Sequence, residues 1–96
     1  MMILDIKEIQ RRIRKIAQRG DRGIALTQHC KKRMEEKEVD INDILNVLNW
    51  GKVIHDPGEN ADMKFKVIGE DLEGETLCVV IILLDQDSLL GITVHG

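Results

Sequence analysis

Aromatic side chains are nearly absent from this chain of 96 residues, which has one Trp, one Phe and no Tyr. Proteins that bind single-stranded nucleic acid usually stack bases on aromatic rings, so the sequence offers a poor stacking platform. The two cysteines, Cys30 and Cys78, are far apart and form no C-x-x-C motif. They predict buried thiols in a reducing compartment and exclude a disulfide framework.

Long apolar runs and the common catalytic motifs are also missing. The longest apolar run, residues 77–84, is far too short to span a bilayer, and the charged N-terminal segment is not a secretory signal. We therefore expect a cytoplasmic protein with no membrane contact. No Gly-rich phosphate loop, Ser nucleophile elbow or paired-carboxylate signature occurs. We predict no metal and no cofactor, because metal-ligand spacing is missing from the set His29, Cys30, His55, Cys78 and His95.

Positive and negative charges are divided unequally along the chain. Residues 1–33 contain ten Lys/Arg and three Asp/Glu, a net +7, whereas residues 34–96 contain four Lys/Arg and fourteen Asp/Glu, a net −10. The basic half can bind RNA or an acidic partner. Alternatively, the acidic half lies against the basic helix, which the net charge of −3 favours. The first interpretation assigns RNA binding to Arg11, Arg12, Arg14, Lys15, Lys31, Lys32, Lys64 and Lys66.

Residues 1–23 have the pattern of a basic amphipathic helix. One apolar stripe is formed at three- and four-residue steps by Ile6, Ile9, Ile13 and Ile16. Asp5 precedes Glu8 by three residues, as in a capping box. The stripe is predicted to be core, and a dimer or partner-helix face is the alternative.

Residues 24–50 are predicted to be mainly helical and residues 51–96 to form a sheet. Thr27 is a candidate N-cap for a helix that ends near Lys37, and Asp40 is a candidate N-cap for a short helix that ends at Trp50. We expect the Trp50 side chain to fill the core. Residues 77–84 are apolar on both faces, which predicts a central strand. The expected fold is therefore α+β, a single domain over residues 1–96 with N-terminal helices packed on a four-stranded antiparallel β-meander.

The segment that begins at Thr27 places two cationic groups near a helix N-terminus. His29 and Arg33 are four residues apart and so lie on one helix face. Backbone N–H groups there favour an anion, which predicts a phosphate site. His95 would add a second imidazole for acid–base chemistry if the sheet brought it close to His29. In the alternative, this face is only solvated and Arg33 pairs with Glu36.

The same segment resembles a mainly prokaryotic family of domains of unknown function, family 4258. Its motif is Ser/Thr-x-His-Ala-x-x-Arg-Met-x-x-Arg-Gly-Ile, followed by a short acidic helix, matched here by residues 40–48, and a β-meander that ends in Thr-Val. The other matching residues are Thr27, His29, Arg33, Met34, Val39, Thr93 and Val94. Cys30, Lys37 and Glu38 depart from the motif. Since Glu38 replaces its Gly, the helix must end without the usual left-handed residue.

The resemblance implies a relation in fold to RelE-like toxins and to small ribonucleases of the barnase, EndoU and colicin type. It therefore implies binding of RNA or of an antitoxin-like partner. If the protein is an enzyme, the resemblance implies a metal-independent endoribonuclease that uses His29, Arg33 and His95. The alternative is a non-enzymatic interaction module that forms a homodimer or binds an acidic protein.

Overall fold

The computed structural model describes residues 4–58 and 61–96. Residues 1–3, which belong to the first predicted segment, and residues 59–60 lie outside the described ranges. Helices precede most of the strands, as the sequence predicts. The elements are α1 (Ile6–Gln18), a 3₁₀ helix (Gly20–Gly23), β1 (Ile24–Leu26), α2 (Gln28–Lys37), α3 (Ile41–Trp50), β2 (Lys52–His55), β3 (Lys64–Glu70), β4 (Thr76–Leu83) and β5 (Leu89–His95).

The five described strands form one mixed sheet in the order β1-β5-β4-β3-β2. Neighbours from β2 to β5 are antiparallel, whereas β1 runs parallel to β5 with Ala25 opposite Leu90. The predicted α+β class is confirmed, but the prediction of four strands in a wholly antiparallel sheet is wrong. The apolar run Ile24–Leu26 predicts a short extended piece, but three residues are too few to show that it joins the sheet or in which direction.

β4 is the middle strand of the sheet, as its two apolar faces predict. Leu77, Val79 and Ile81 pack with the helices in one core. Cys78 and Val80 alternate onto the opposite face and are still only 6% and 4% exposed. Cys78 and Cys30 are both free and buried, which confirms the prediction of buried thiols.

α1 is anchored by its cap and by its apolar stripe. The Asp5 carboxylate accepts from the backbone N–H groups of Lys7 and Glu8, so the predicted cap is confirmed. The Glu8 side chain pairs with Arg11 instead of closing a capping box. Ile9 and Ile13 are buried inside the chain's own core. That burial confirms the core prediction and excludes these two side chains from a dimer face.

The boundaries of α2 and α3 follow the predicted caps. Thr27 Oγ1 accepts from the Cys30 N–H at 3.0 Å, and Asp40 and Asp43 form a reciprocal capping box. α2 ends at Glu38, which itself adopts the left-handed conformation with φ 57°. The prediction for Trp50 is wrong, since its side chain is 79% exposed. Trp50 is about 200° around α3 from the buried Leu48, because each residue turns an α-helix by about 100°.

Candidate nucleic-acid interface

A groove of about 660 Å³ lies between α1 and the turn that joins β4 to β5. We call it the basic groove. Its walls carry two carboxylates and five cations, the latter being Arg11, Arg12, Arg14, Lys15 and Arg19. The side-chain amides of Gln18 and Gln86 complete its polar lining. The groove therefore combines an excess of positive charge with neutral hydrogen-bonding groups.

The amphipathic pattern of α1 directs these cations to the groove. The isoleucine stripe faces the core, so the positions between its members point toward solvent. Arg11, Lys15 and Arg19 follow one another at steps of four and form a row along the helix. A helix built in this way presents a line of charges and leaves the core intact.

Two arginines tie α1 to the turn across the groove. Arg12 Nη2 donates to the backbone carbonyl oxygen of Asp85 at 2.9 Å, and Arg19 Nη1 lies 3.3 Å from Asp87 Oδ1. The acidic half of the chain therefore meets the basic helix here, as the self-neutralising interpretation expects. The turn supplies only one carboxylate to the lining, Asp87, so the groove keeps its positive excess.

Two nitrogens beside the groove are buried without a hydrogen bond. Nε of Arg12 and Nε of Arg14 have no partner among the described residues. With the Gln10 amide turned so that its oxygen accepts, that oxygen lies 2.8 and 3.1 Å from the terminal nitrogens of Arg14 and leaves Nε unpaired. A buried donor without an acceptor is costly, and a phosphate oxygen is the acceptor that guanidinium groups bind best.

The turn itself is stabilised by Asp85. Its carboxylate accepts a hydrogen bond from the Asp87 N–H at 2.8 Å. That bond, a further one from the Ser88 hydroxyl and the nearby charge of Arg12 hold the pKa of Asp85 below its ordinary value. The turn is consequently ordered best when Asp85 is ionised.

The structure divides the eight residues predicted to bind RNA into three places. Arg11, Arg12, Arg14 and Lys15 line the basic groove. Lys31 and Lys32 are exposed on α2, outside the groove lining. Lys64 and Lys66 lie on β3. Their amines are 3.9 and 3.7 Å from Asp56 Oδ2, which partly neutralises their charge.

Arg19 and Gln86 are groove residues that the sequence analysis did not assign. Arg19 carries a signal, because it continues the row of Arg11 and Lys15 at the same spacing. Gln86 carries none, since only the folding of the sheet brings its turn against α1. Groove residues that come from a distant segment of the chain can be identified only from the tertiary structure.

His29 and Arg33 lie on α2, away from the basic groove. His29 is exposed in the first turn, behind the Thr27 cap. Arg33 Nη1 lies 3.3 Å from Glu36 Oε2, so the pairing expected in the alternative interpretation is confirmed. With that pairing, Arg33 has a partner on its own helix.

His29 and His95 do not share a cleft. α2 begins beside Gly91, where the Thr27 N–H bonds the Gly91 carbonyl, and its last residue, Lys37, approaches Gly96. α2 therefore runs along β5, with His29 near one end of the strand and His95 near the other. The two imidazoles also belong to different faces of the sheet, because His95 lies opposite Cys78 on the face without helices.

An acidic groove of about 420 Å³ lies at the other end of the sheet, around the turn from β3 to β4. Its carboxylates are Glu36, Glu38, Asp43, Asp71, Glu73 and Glu75. The two turns lie at opposite ends of β4, so the positive and negative grooves are separated in space. This arrangement repels a polyanion from one end of the protein and attracts it to the other.

Two further observations concern metals and membranes. Over residues 4–58 and 61–96, no group of three or more His, Cys, Asp or Glu side chains could hold a metal ion. The helices in the same ranges are too short or too polar to cross a bilayer.

Comparison with known proteins shows the family of the chain. The sequence profile described as Domain of unknown function (DUF4258) matches residues 26–94. The comparisons with curated proteins and with solved structures find no match. α1, which supplies the cations of the basic groove, precedes the matched segment. Since the profile covers well over half of the sequence, from the last residue of β1 to Val94 in β5, the chain belongs to the DUF4258 family.

Proposed function

We propose that this protein binds RNA through the basic groove and does not cleave it. The observation that carries the proposal is the convergence of five cations on one groove, against two carboxylates. Phosphate oxygens supply both the negative charge and the acceptors that this groove needs. The amides of Gln18 and Gln86 are suited to the ribose 2′-hydroxyl, which is both a donor and an acceptor.

The lining of the groove favours the backbone of a duplex over the bases of a single strand. No aromatic side chain belongs to the described lining: Phe65 is buried in the core, and Trp50 is exposed but outside the lining. Base stacking therefore contributes little. Double-stranded RNA is bound mainly through phosphates and 2′-hydroxyls, which require no stacking.

Cleavage is the less favoured function. An endoribonuclease needs a proton acceptor and a proton donor at the same phosphate, whereas His29 and His95 are on different faces of the sheet. The proposed relation to RelE-like toxins, and the antitoxin-like partner that it implies, depend only on the resemblance of the α2 motif to the family motif. An acidic protein segment would be attracted to the same groove, and the experiment below separates it from RNA.

The direct test measures affinity for a labelled RNA duplex by fluorescence anisotropy at several salt concentrations. We expect log K to fall with log salt with a slope of about −4 if five phosphates are engaged, since each contributes roughly −0.7 to −0.9. Lys15→Glu should weaken binding at least tenfold at low salt. Lys7→Glu is the matched control, because Lys7 is an exposed cation of α1 outside the groove lining.

Three results would contradict the proposal. They are undetectable binding at low salt, a shallow salt slope, and equal losses in Lys15→Glu and Lys7→Glu. If poly-glutamate binds and RNA does not, the groove is a site for an acidic protein. RNA degradation by the parent protein in the presence of EDTA would restore the ribonuclease hypothesis.

A further inference from the structure

We propose that two copies of this chain form a twofold dimer in which β2 of one protomer pairs antiparallel with β2 of its partner. β2 is an outermost strand, and no described strand lies on its outer side. An exposed edge of this kind is a template for another strand. The dimer is independent of the basic groove and of RNA binding.

The backbone hydrogen bonds show which groups of β2 are free to pair. The Asp56 N–H donates to the Lys64 carbonyl at 3.0 Å, and the Leu83 N–H to the Met63 carbonyl at 2.9 Å. In an antiparallel ladder, alternate residues direct their N–H and C=O groups to opposite sides. The backbone N–H and C=O groups of residues 52, 54 and 56 therefore bond to β3. Those of Val53 and His55 point outward, away from the sheet.

A twofold axis at Ile54 satisfies these outward groups completely. Val53 then exchanges two hydrogen bonds with the partner's His55, and His55 exchanges two with the partner's Val53, which makes four bonds across the axis. Opposite residues of an antiparallel pair share a face. Ile54 accordingly meets the partner's Ile54 at the centre.

The same register pairs opposite charges at both ends. Lys52 falls opposite the partner's Asp56, a carboxylate that Lys64 and Lys66 of its own chain also approach, and the symmetry repeats this contact on the other side. The side chain of Ile54 is 39% exposed in the single chain and would be covered at the axis. Complementary charges outside a central apolar contact identify the occupant as a second copy of this chain.

Shifting the twofold axis by one residue in either direction gives a less favourable pairing of the two β2 strands. An axis at Val53 places Lys52 opposite the partner's Ile54 and needs the Gly51 N–H, which already donates to Val47. An axis at His55 places Asp56 opposite the partner's Ile54 and requires an N–H from Pro57, which has none. The register centred on Ile54 avoids both defects.

The first test is disulfide trapping of Ile54→Cys under mild oxidation. Directly opposite residues of a non-hydrogen-bonded pair have Cα atoms about 4.5 Å apart, within the range of a disulfide. Lys52→Cys is the matched control, because four residues along a strand place the two mutant sites roughly 13 Å apart. The native thiols of Cys30 and Cys78 are buried and should not cross-link.

The second test measures the dissociation constant by sedimentation equilibrium. Lys52→Asp should raise it about tenfold, since two symmetry-related pairs become repulsive. Lys52→Asp combined with Asp56→Asn should recover most of this loss, because the contact between like charges is removed. The proposal is overturned if the parent protein remains monomeric at millimolar concentration, or if Ile54→Cys cross-links no faster than Lys52→Cys.

Discussion

The guanidinium of Arg12 and the backbone carbonyl of Asp85 are joined by a hydrogen bond of 2.9 Å across 73 positions of the sequence. This bond connects the basic helix to the turn between β4 and β5, whose residues Gln86 and Asp87 line the basic groove. The same guanidinium has a buried Nε without a partner. Arg12 therefore fastens α1 to the turn and adds a positive charge to the groove lining.

Substitution of Arg12 should affect both roles. We expect Arg12→Ala to lower the free energy of unfolding by about 1 kcal/mol, through loss of the bond to Asp85, and to weaken RNA binding. Arg12→Lys keeps the charge but loses Nε. It should preserve the salt slope while lowering affinity, because Lys lacks the planar fork of the guanidinium, and identical affinities of Arg12→Lys and the parent would show that the fork makes no contact with the RNA. Urea unfolding and anisotropy titrations provide the two measurements.

Ile13 tests the assignment of the isoleucine stripe to the core. It is fully buried among α1, α3 and the sheet. Ile13→Ala should cost about 2–5 kcal/mol, because it removes buried methylenes and leaves a cavity. Ile6→Ala, at a partly buried position of the same stripe, should cost less than half as much in urea unfolding. Equal losses would argue against this packing of α1.

Glu38→Gly should stabilise the protein. Glu38 ends α2 with φ 57°, and a left-handed L-residue costs roughly 1–2 kcal/mol, which glycine avoids. After the extra chain entropy of glycine, we expect a gain of about 0.5–1 kcal/mol and a higher melting temperature. Glu35→Gly, within the same helix, should instead destabilise by about 1 kcal/mol. A lower melting temperature in Glu38→Gly would contradict the prediction.

The contribution of Asp85 to stability should depend on pH. Its pKa in the folded protein lies below the ordinary 3.8, so the folded state favours the ionised carboxylate. The stabilisation is therefore present above the unfolded-state pKa and is lost as pH falls through the lowered folded-state pKa. Parent protein and Asp85→Asn should differ in urea unfolding at pH 7 and converge as pH falls below the lowered folded-state pKa of Asp85. A constant difference at all pH values would contradict this linkage.

His29 and Arg33 should be dispensable for stability. His29→Ala should change the free energy of unfolding by less than about half a kcal/mol, as is usual for exposed sites. Arg33→Ala loses only its partly exposed pair with Glu36, which is worth about 0–1 kcal/mol. Both variants, and His95→Ala, should bind RNA like the parent. Metal-free cleavage by the parent that all three variants abolish would favour the catalytic hypothesis.

The features predicted correctly are those that neighbouring residues decide. The cap at Thr27 and the capping box at Asp40 form within one helical turn, and the isoleucine stripe follows the period of α1. The central position of β4 follows from its two apolar faces. The core prediction for Trp50 is wrong because its angular position on α3, and not its hydrophobicity, decides its environment.

The candidate site was predictable only in part, for the same reason. Four of its five cations were assigned from the charge of the first helix, and Arg19 extends their row. The opposite wall, with Gln86 and Asp87, is contributed by a turn nearly seventy residues away. Its placement depends on the order of the strands, which no local pattern specifies.

Local periodicity, capping residues and the division of charge are enough to establish an α+β chain with a basic first helix, because each depends on residues within a few positions of one another. Only the tertiary structure decides that β1 pairs parallel with β5, that His29 and His95 lie on different faces, and that α1 meets the turn at Asp85. These relationships arise from contacts between distant segments. Such contacts form when the sheet and the helices bury a common core, and their free energy depends on the packing of the whole chain.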